Sequence, residues 1–337
     1  MAQAIIMAGG FGERFQPLTH KNFPKYLIRF NGKTSLLQNT YARLTGYYRK
    51  DQVWVITTRE HVRFIRKELP RLSRSRILIE PFRNNTASAI LYGTKAIQSR
   101  FGSHEPVSFF PADHLIKHRQ LFYATMNNAI ALAKRRELLV TIGVKPTFPA
   151  IGYGYILAGG GIPGSASACL VKAFKEKPKL ATAKSYLRNR NYFWNGGIFT
   201  WRAGVFMDTI KKTAPQFESR FELGRLAASY RRLPKISIDY LLLEKTRNIA
   251  VVKTRMDWCD MGSWDMFLEK AESDRAGNVS MGPARHRESR NSLFLNYTNV
   301  PVVALGVKDL IVVKTERWLL ICGRGRSEEA ARLPHKK

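Results

Sequence analysis

Cysteine is nearly absent from this chain. Cys169, Cys259 and Cys322 are odd in number and far apart, which excludes a paired disulfide framework and any C-x-x-C metal site. No apolar run reaches the ~18 residues that a membrane-spanning helix needs. The first apolar run, Ala4–Ala8, is short and has no basic segment before it, so it reads as a buried strand and not as a secretion signal. There is no G-x-S-x-G and no recognisable Ser-His-Asp arrangement. His114 has no second His or Cys at zinc spacing and is expected to be a structural neighbour of Asp113. These absences leave an intracellular, non-zinc protein as the expectation, in a reducing cytoplasm and away from membranes.

Acidic residues are scarce too. The chain has 25 Asp+Glu against 56 Lys+Arg, a formal net charge of +31 over 337 residues. The excess is even: residues 1–169 carry 24 Lys/Arg and 8 Asp/Glu, and residues 170–337 carry 32 and 17. Nucleic-acid binding concentrates charge on one face, so specific nucleic-acid binding is not expected. A polyanion-binding protein is a reading that charge alone supports. Hydrophobic content of 45% is ample for a large core.

What is present begins at residues 4–25, "AIIMAGGFGERFQPLTHKNFPK". An apolar run meets Gly9, Gly10 and Gly12, with Arg14 next and Lys25 behind Pro24. Glycines after a strand let backbone N–H groups approach a polyphosphate, and the two cations neutralise it. The loop matches neither G-x-G-x-x-G nor the P-loop. Alone it reads equally as a tight strand-to-helix turn without a ligand.

Further on, strand-like and helix-like runs alternate, the pattern of an α/β fold with a mixed, mainly parallel sheet. "QVWVITT", "RILIE", "PVSFFPAD" and "LLVTIGV" read as strands, as do segments near 169, 196 and 249. "TASAILYGTKAIQSRF" reads as a helix capped by Thr86 or a neighbour. After about residue 275 the long helices stop. "SLFLN", "VPVVALG", "LIVVKT" and "WLLICG" predict a small all-β module, too irregular in spacing to be read as a solenoid. The expected organisation is a catalytic domain over 1–275 and a β-rich module over 276–337, its last residues frayed.

Asp113 ends "VSFFPAD", at the carboxyl end of a strand, where open α/β sheets bind ligands. Asp260 stands in "WCDMGSWDMF" before an expected helix. Each reads as a helix cap or as a Mg²⁺ ligand, and two such carboxylates with a phosphate-binding loop favour the metal. In "KEKP", Glu176 suits sugar hydroxyls and Lys177 a second phosphate; a solvated charge cluster is the alternative. Asn195 is expected in an aromatic, glycine-rich turn, and "GYGYI" (152–156) is another turn where backbone meets a ligand.

Eight blocks, in order, resemble those of the sugar nucleotidyltransferases, and most closely the mannose-1-phosphate guanylyltransferases. They are "MAGGFGERFQPLTHKNFPKYL", "EPFRNNTASAI", "FFPADH", "TIGVKPTFPAIGYGYI", "FKEKP", "WNGGIF", "SIDYLLLEK" and "WCDMGSWD". The resemblance implies a Rossmann-like nucleotide-diphospho-sugar transferase fold. It implies that mannose 1-phosphate attacks the α-phosphorus of GTP in line, giving GDP-mannose and pyrophosphate with Mg²⁺ or another divalent cation. Arg14 and Lys25 would be catalytic. Ala8, Gly9, Gly10 and Gly12 would cradle the nucleotide phosphates. Gly154, Glu176, Lys177 and Asn195 would bind the sugar phosphate, and Asp113 and Asp260 the metal. Glu80, helped by Asn85 and Thr86, would read guanine, because a carboxylate accepts two hydrogen bonds from its N1–H and N2–H₂ edge. The C-terminal module implies a homodimer, and a fused isomerase domain is not expected. Ala150 and Ile151 stand where the family commonly has Glu and Thr, which keeps another sugar 1-phosphate, such as a manno-heptose, as an alternative. A catalytically silent nucleotide-sugar-binding regulator is the alternative of another class.

Overall fold

The computed structural model describes residues 2–30 and 32–333. The chain forms two compact units, Met1–Gly9 with Thr40–Trp258, and Gly10–Asn39 with Cys259–Lys337. This division does not follow a single cut near residue 275: residues 10–39 belong with residues 259–337.

In chain order the strands of the first part are β1 (Gln3–Met7), β2 (Val53–Thr58), β3 (Ile77–Glu80), β4 (Pro106–Pro111), β5 (Leu115–Ile116), β6 (Leu139–Val144), β7 (Tyr155–Gly161), β8 (Ala168–Lys175), β9 (Tyr192–Arg202), β10 (Ile249–Thr254) and β11 (Trp258–Cys259). Nine of them make the sheet of the first unit, in the order β3-β2-β1-β4-β9-β6-β10-β8-β7. β1 pairs in parallel with β2 and β4, β2 with β3, and β6 with β10. β9 runs antiparallel to β4, β6 and β7. The sheet is thus mixed as expected, parallel along its first four strands and largely antiparallel beyond.

The reason lies in patterning. β1, β2 and β6 are runs of Val, Ile, Leu and Ala buried almost throughout, as parallel strands covered on both faces require. The helix Asn85–Phe101 buries Ala87, Ile90, Leu91, Thr94 and Ile97, a helical spacing, and ends at Gly102 in a left-handed conformation. Its start departs from the expected cap. Thr86 Oγ1 accepts from the Ile238 amide at 2.9 Å, and Asn85 Oδ1 accepts from the Thr86 amide, so Thr86 serves a tertiary contact.

In the second unit the strands are β12 (Val279–Met281), β13 (Ala284–Arg287), β14 (Leu293–Asn296), β15 (Val302–Leu305), β16 (Leu310–Lys314) and β17 (Leu319–Gly323). The all-β expectation holds, and the winding is the new fact. β12, β14 and β16 stack in parallel, β13 and β15 stack in parallel, and Arg290 bridges Lys308 in parallel on a third side. The module is a short parallel coil closed by antiparallel β17. Val279 pairs with Leu293 fourteen positions on, and Leu293 with Ile311 eighteen positions on, so the repeat is unequal in sequence. Its corners bury asparagines that are fully used: the Asn278 side chain donates to Ser289 O and accepts from the Ser292 amide, and Asn296 donates to Pro283 O and Val300 O. The short helix Ser327–Ala330 matches the helical start expected of the tail; the frayed end lies outside the described residues.

Candidate functional site

In the second unit the glycine loop is tied to Lys25. The Lys25 amide donates to Phe11 O at 2.9 Å, and Gly12 has a left-handed backbone, φ 77°. A methyl on Gly12 would lie 2.5 Å from Lys25 Cβ, so glycine is required for the lysine stem to pass beneath the loop. Lys25 is buried, and its Nζ donates to Asp260 O at 2.7 Å. Arg14 is different. Its side chain is 44% exposed, with Nη2 3.9 Å from Asp260 Oδ2 and Nη1 3.6 Å from Glu328 Oε1. Contacts that long and exposed hold a guanidinium loosely and leave its donors for a ligand. Phe15, buried edge-on against Trp264 at 4.6 Å, and Trp264 Nε1, which donates to Gln16 O, anchor this turn. Asp260 precedes the helix Trp264–Lys270, whose cap is Ser263: its hydroxyl accepts from the Met266 amide. The capping alternative for Asp260 is thereby taken by another residue.

In the first unit Ala8 directly follows β1, and its amide donates to Ile56 O. Glu80, at the end of β3, is buried at 3% exposure. Its Oε1 accepts from the Tyr230 hydroxyl at 3.0 Å, and its Oε2 lies 3.1 Å from where a Cβ on Gly9 would be. Burial pushes its carboxyl up to about 7, against the opposing pull of the Tyr230 hydrogen bond and the Arg83 charge. One oxygen is therefore partly committed before any base arrives. Asn85 has a left-handed backbone, φ 67°.

The sugar-side candidates also meet in the first unit. Lys177 N donates to Tyr153 O, and Asn195 N donates to Gly154 O at 2.8 Å. A methyl on Gly154 would lie 2.5 Å from Glu176 Oε2. Glu176 is buried, its Oε1 3.1 Å from Lys177 Nζ, and burial raises its pKa against the pull of Lys177. Lys177 is exposed and left-handed at φ 44°. Asn195 lies inside β9, not in a turn: it pairs with Gly143 beside a register shift that lets the strand carry the "WNGG" bend. Its Oδ1 accepts from Thr141 Oγ1 at 2.9 Å and from the Gly197 amide at 3.2 Å, and its Nδ2 donates to Asp239 Oδ1 at 3.0 Å.

Asp113 follows β4 by two residues, in a turn, and is partly exposed. His114 is the structural neighbour expected: buried, its Nδ1 accepts from Trp258 Nε1 at 3.1 Å. Cys259 is buried, and desolvation pushes its thiol up to about 12, so it is inert. Among the described residues no group of three or more His, Cys, Asp or Glu is arranged to hold a metal, and no helix is long and apolar enough to cross a membrane. Mg²⁺ does not need such a group: a hard cation, it takes one or two carboxylates and completes its shell with phosphate oxygens and water.

Sequence reasoning missed three residues. Asp239 and Glu244 stand in the quoted block "SIDYLLLEK" but received no role. Asp239 lies beside Glu176, and burial, followed by the Glu176 charge, pushes its carboxyl well above the usual carboxylate range. Glu244 Oε1 accepts from the Glu176 amide at 2.8 Å. Tyr230, on the helix Leu226–Arg232, carried no motif signal at all.

A glycine loop over a buried lysine has the chemistry of a cradle for a polyphosphate. The Nucleotidyl transferase family pattern matches residues 3–277, and the chain belongs to that family. It is 34% identical to "Xanthan biosynthesis protein XanB" of Xanthomonas campestris pv. campestris, over 96% of this chain and 71% of that protein. It is 33% identical to a mannose-1-phosphate guanylyltransferase of Salmonella montevideo, over 100% of this chain and 74% of that one. Among solved structures, one described as a mannose-1-phosphate geranyltransferase from Thermus thermophilus superposes with a TM-score of 0.87 at 30% identity, over 98% of this chain and 97% of its own. The protein is an enzyme of the sugar nucleotidyltransferase class with the nucleotide-diphospho-sugar transferase fold.

Proposed function

We propose that this enzyme transfers GMP from GTP to mannose 1-phosphate, releasing pyrophosphate and forming GDP-mannose. The observation that carries the reading is the Gly12–Lys25–Asp260 arrangement: a buried amine fixed beneath a glycine loop, next to a loosely held Arg14. Fixed positive charge of this kind stabilises a triphosphate and its departing pyrophosphate without reorganising during the reaction. The names of the relatives support the choice of guanine and mannose.

In this reading the sugar phosphate attacks the α-phosphorus directly, and the protein's work is orientation and charge. The backbone of Ala8, Gly9, Gly10 and Gly12 borders the phosphates. Arg14 and Lys25 neutralise the β- and γ-phosphate charge as the bond to the α-phosphorus breaks. Lys177 holds the sugar phosphate, Glu176 and Asn195 the sugar hydroxyls, with the Gly154 backbone beside them. Glu80 accepts from the guanine edge, next to Asn85 and Thr86. Asp113 and Asp260 are the carboxylates assigned to Mg²⁺, which when bound supplies charge neutralisation to phosphate oxygens. The working protein is a cytoplasmic homodimer.

A second reading keeps the chemistry and changes the sugar. Ile151 is 52% exposed and Ala150 buried, in place of polar groups before Gly154. Pyrophosphate release with Mg²⁺, each of four NTPs and a panel of sugar 1-phosphates tests both. GTP with mannose 1-phosphate is the expected best pair. Release with a manno-heptose phosphate alone supports the second reading, and no release with any pair refutes the enzyme assignment for these substrates.

A further inference from the structure

One turn of the first unit carries two carboxylates that each grip a different sugar-side residue. Asp239–Leu243 is a π-helical turn, a rare form that recurs at functional sites, and Glu244 follows it directly. Asp239 Oδ1 accepts from Asn195 Nδ2 at 3.0 Å, and Glu244 Oε1 accepts from the Glu176 amide at 2.8 Å. The same short turn thus reaches both Asn195 and Glu176 with its side chains.

The consequence for Asn195 follows from counting its valences. An amide oxygen has two lone pairs, and both are taken, by Thr141 Oγ1 and the Gly197 amide. One N–H goes to Asp239. What remains for a ligand is a single N–H, so Asn195 is limited to donating. Glu176 is the opposite: its carboxylate accepts, with Oε1 already beside Lys177 Nζ and Oε2 against Gly154. The cluster thus offers one donor and one acceptor in fixed places.

We propose that the turn Asp239–Glu244 is the positioning element of the sugar site: Asp239 sets the Asn195 amide so that its free N–H meets a hydroxyl oxygen, and Glu244 sets the backbone from which Glu176 receives a hydroxyl proton. The substrate is then a sugar 1-phosphate in which one hydroxyl is read as an acceptor and another as a donor. This rests on the reading of Asn195 and Glu176 as sugar contacts. The raised pKa of Asp239, caused by desolvation and the Glu176 charge, is consistent with a carboxylate held in place by its neighbours at a cost.

The test uses the full chain in steady-state kinetics with GTP and mannose 1-phosphate. Asp239→Ala is expected to raise KM for the sugar phosphate about 10- to 100-fold, the effect of losing a hydrogen bond to a charged group, while KM for GTP stays within about twofold. Asp239→Asn keeps an acceptor oxygen and restores most of the loss. In an Asn195→Ala background, Asp239→Ala adds little further, because it acts through that amide. Should Asp239→Ala fail to fold, the conservative variants decide: Asp239→Asn, which keeps the acceptor oxygen, leaves KM for the sugar phosphate within about threefold of wild type, whereas Asn195→Asp, which has no N–H to give, loses sugar affinity with or without Asp239→Asn, and recovery in that double variant overturns the proposal. Equal losses for GTP and sugar, or full additivity in the Asn195→Ala background, overturn the proposal while the functional reading stands. A wild-type protein that turns over no sugar 1-phosphate overturns both.

Discussion

Gly12→Ala tests the central geometry most severely. The backbone at Gly12 is left-handed, and an L-residue there costs about 1–2 kcal/mol. The added methyl would also sit 2.5 Å from Lys25 Cβ, 3.0 Å from Cδ and 3.1 Å from Cγ. Carbon atoms settle at about 3.5–4.0 Å, so the lysine stem must retreat by about 1 Å. Lys25 is pinned at both ends, by its amide to Phe11 O and by Nζ to Asp260 O, and losing the charged bond costs about 1.5–3 kcal/mol. Allowing for relaxation of an exposed loop, a loss of about 2–4 kcal/mol is expected in urea unfolding. A displacement of about 1 Å in a charged group costs turnover about 100-fold. Gly10 is the control. A methyl added there would meet no atom within 4 Å, and its φ is not left-handed, so Gly10→Ala keeps stability within about 0.5 kcal/mol. With the phosphate role proposed for this loop, Gly10→Ala is expected to raise KM for GTP. Equal stabilities for the two variants, or near-normal turnover by Gly12→Ala, would refute the reasoning.

Three other outcomes are expected. The Glu80 carboxyl sits near 7 against an ordinary 4.5, so GTP binding weakens as pH falls from 8 to 6 and the acceptor is protonated, a dependence that Glu80→Gln abolishes. The same shift means that the folded protein prefers this group protonated: its contribution to stability is full below about 4.5 and lost as pH rises through about 7, by at most about 3 kcal/mol, so Glu80→Gln gains stability relative to wild type between pH 5 and 8 in chemical unfolding. Asp113→Ala and Asp260→Ala each abolish Mg²⁺-dependent turnover while circular dichroism stays native; a variant with near-normal turnover removes that residue from the metal assignment. With the homodimer proposed above, Leu305→Glu or Ile321→Glu, at side chains 67% and 59% exposed on β15 and β17, is expected to shift sedimentation from dimer to monomer, and a wild-type protein that sediments as a monomer refutes the homodimer. An unchanged dimer places the contact elsewhere.

Local signals in the sequence carried much of this. Apolar runs marked β1, β2, β4, β6 and β10 within a residue or two, because strands buried on both faces read as largely apolar runs. The helix Asn85–Phe101 was legible from Thr86 on, one residue short at its start, in the run "TASAILYGTKAIQSRF". Asn195 was harder: "WNGG" has the composition of a turn, yet cross-strand pairing with Gly143 and Val144 holds it in β9. The coil of the C-terminal module was hidden by unequal spacing, and parallel stacking depends on pairs that no local pattern encodes. Tyr230 meets Glu80 across 150 positions, and Asp239 meets Asn195 across 44. Such contacts are set by topology, so a motif names one partner and leaves the other silent.

The pairing of residues 10–39 with 259–337 has a bearing on synthesis. Lys25 leaves the ribosome 235 positions ahead of the carbonyl that holds its amine. At about 5–20 residues per second, that interval is roughly ten to fifty seconds. During it a glycine-rich, basic segment waits without its final contacts while the intervening chain is made. Translation arrested before residue 259 should therefore yield nascent chains in which Lys25 stays open to amine-labelling reagents, and release of the remaining length should protect it.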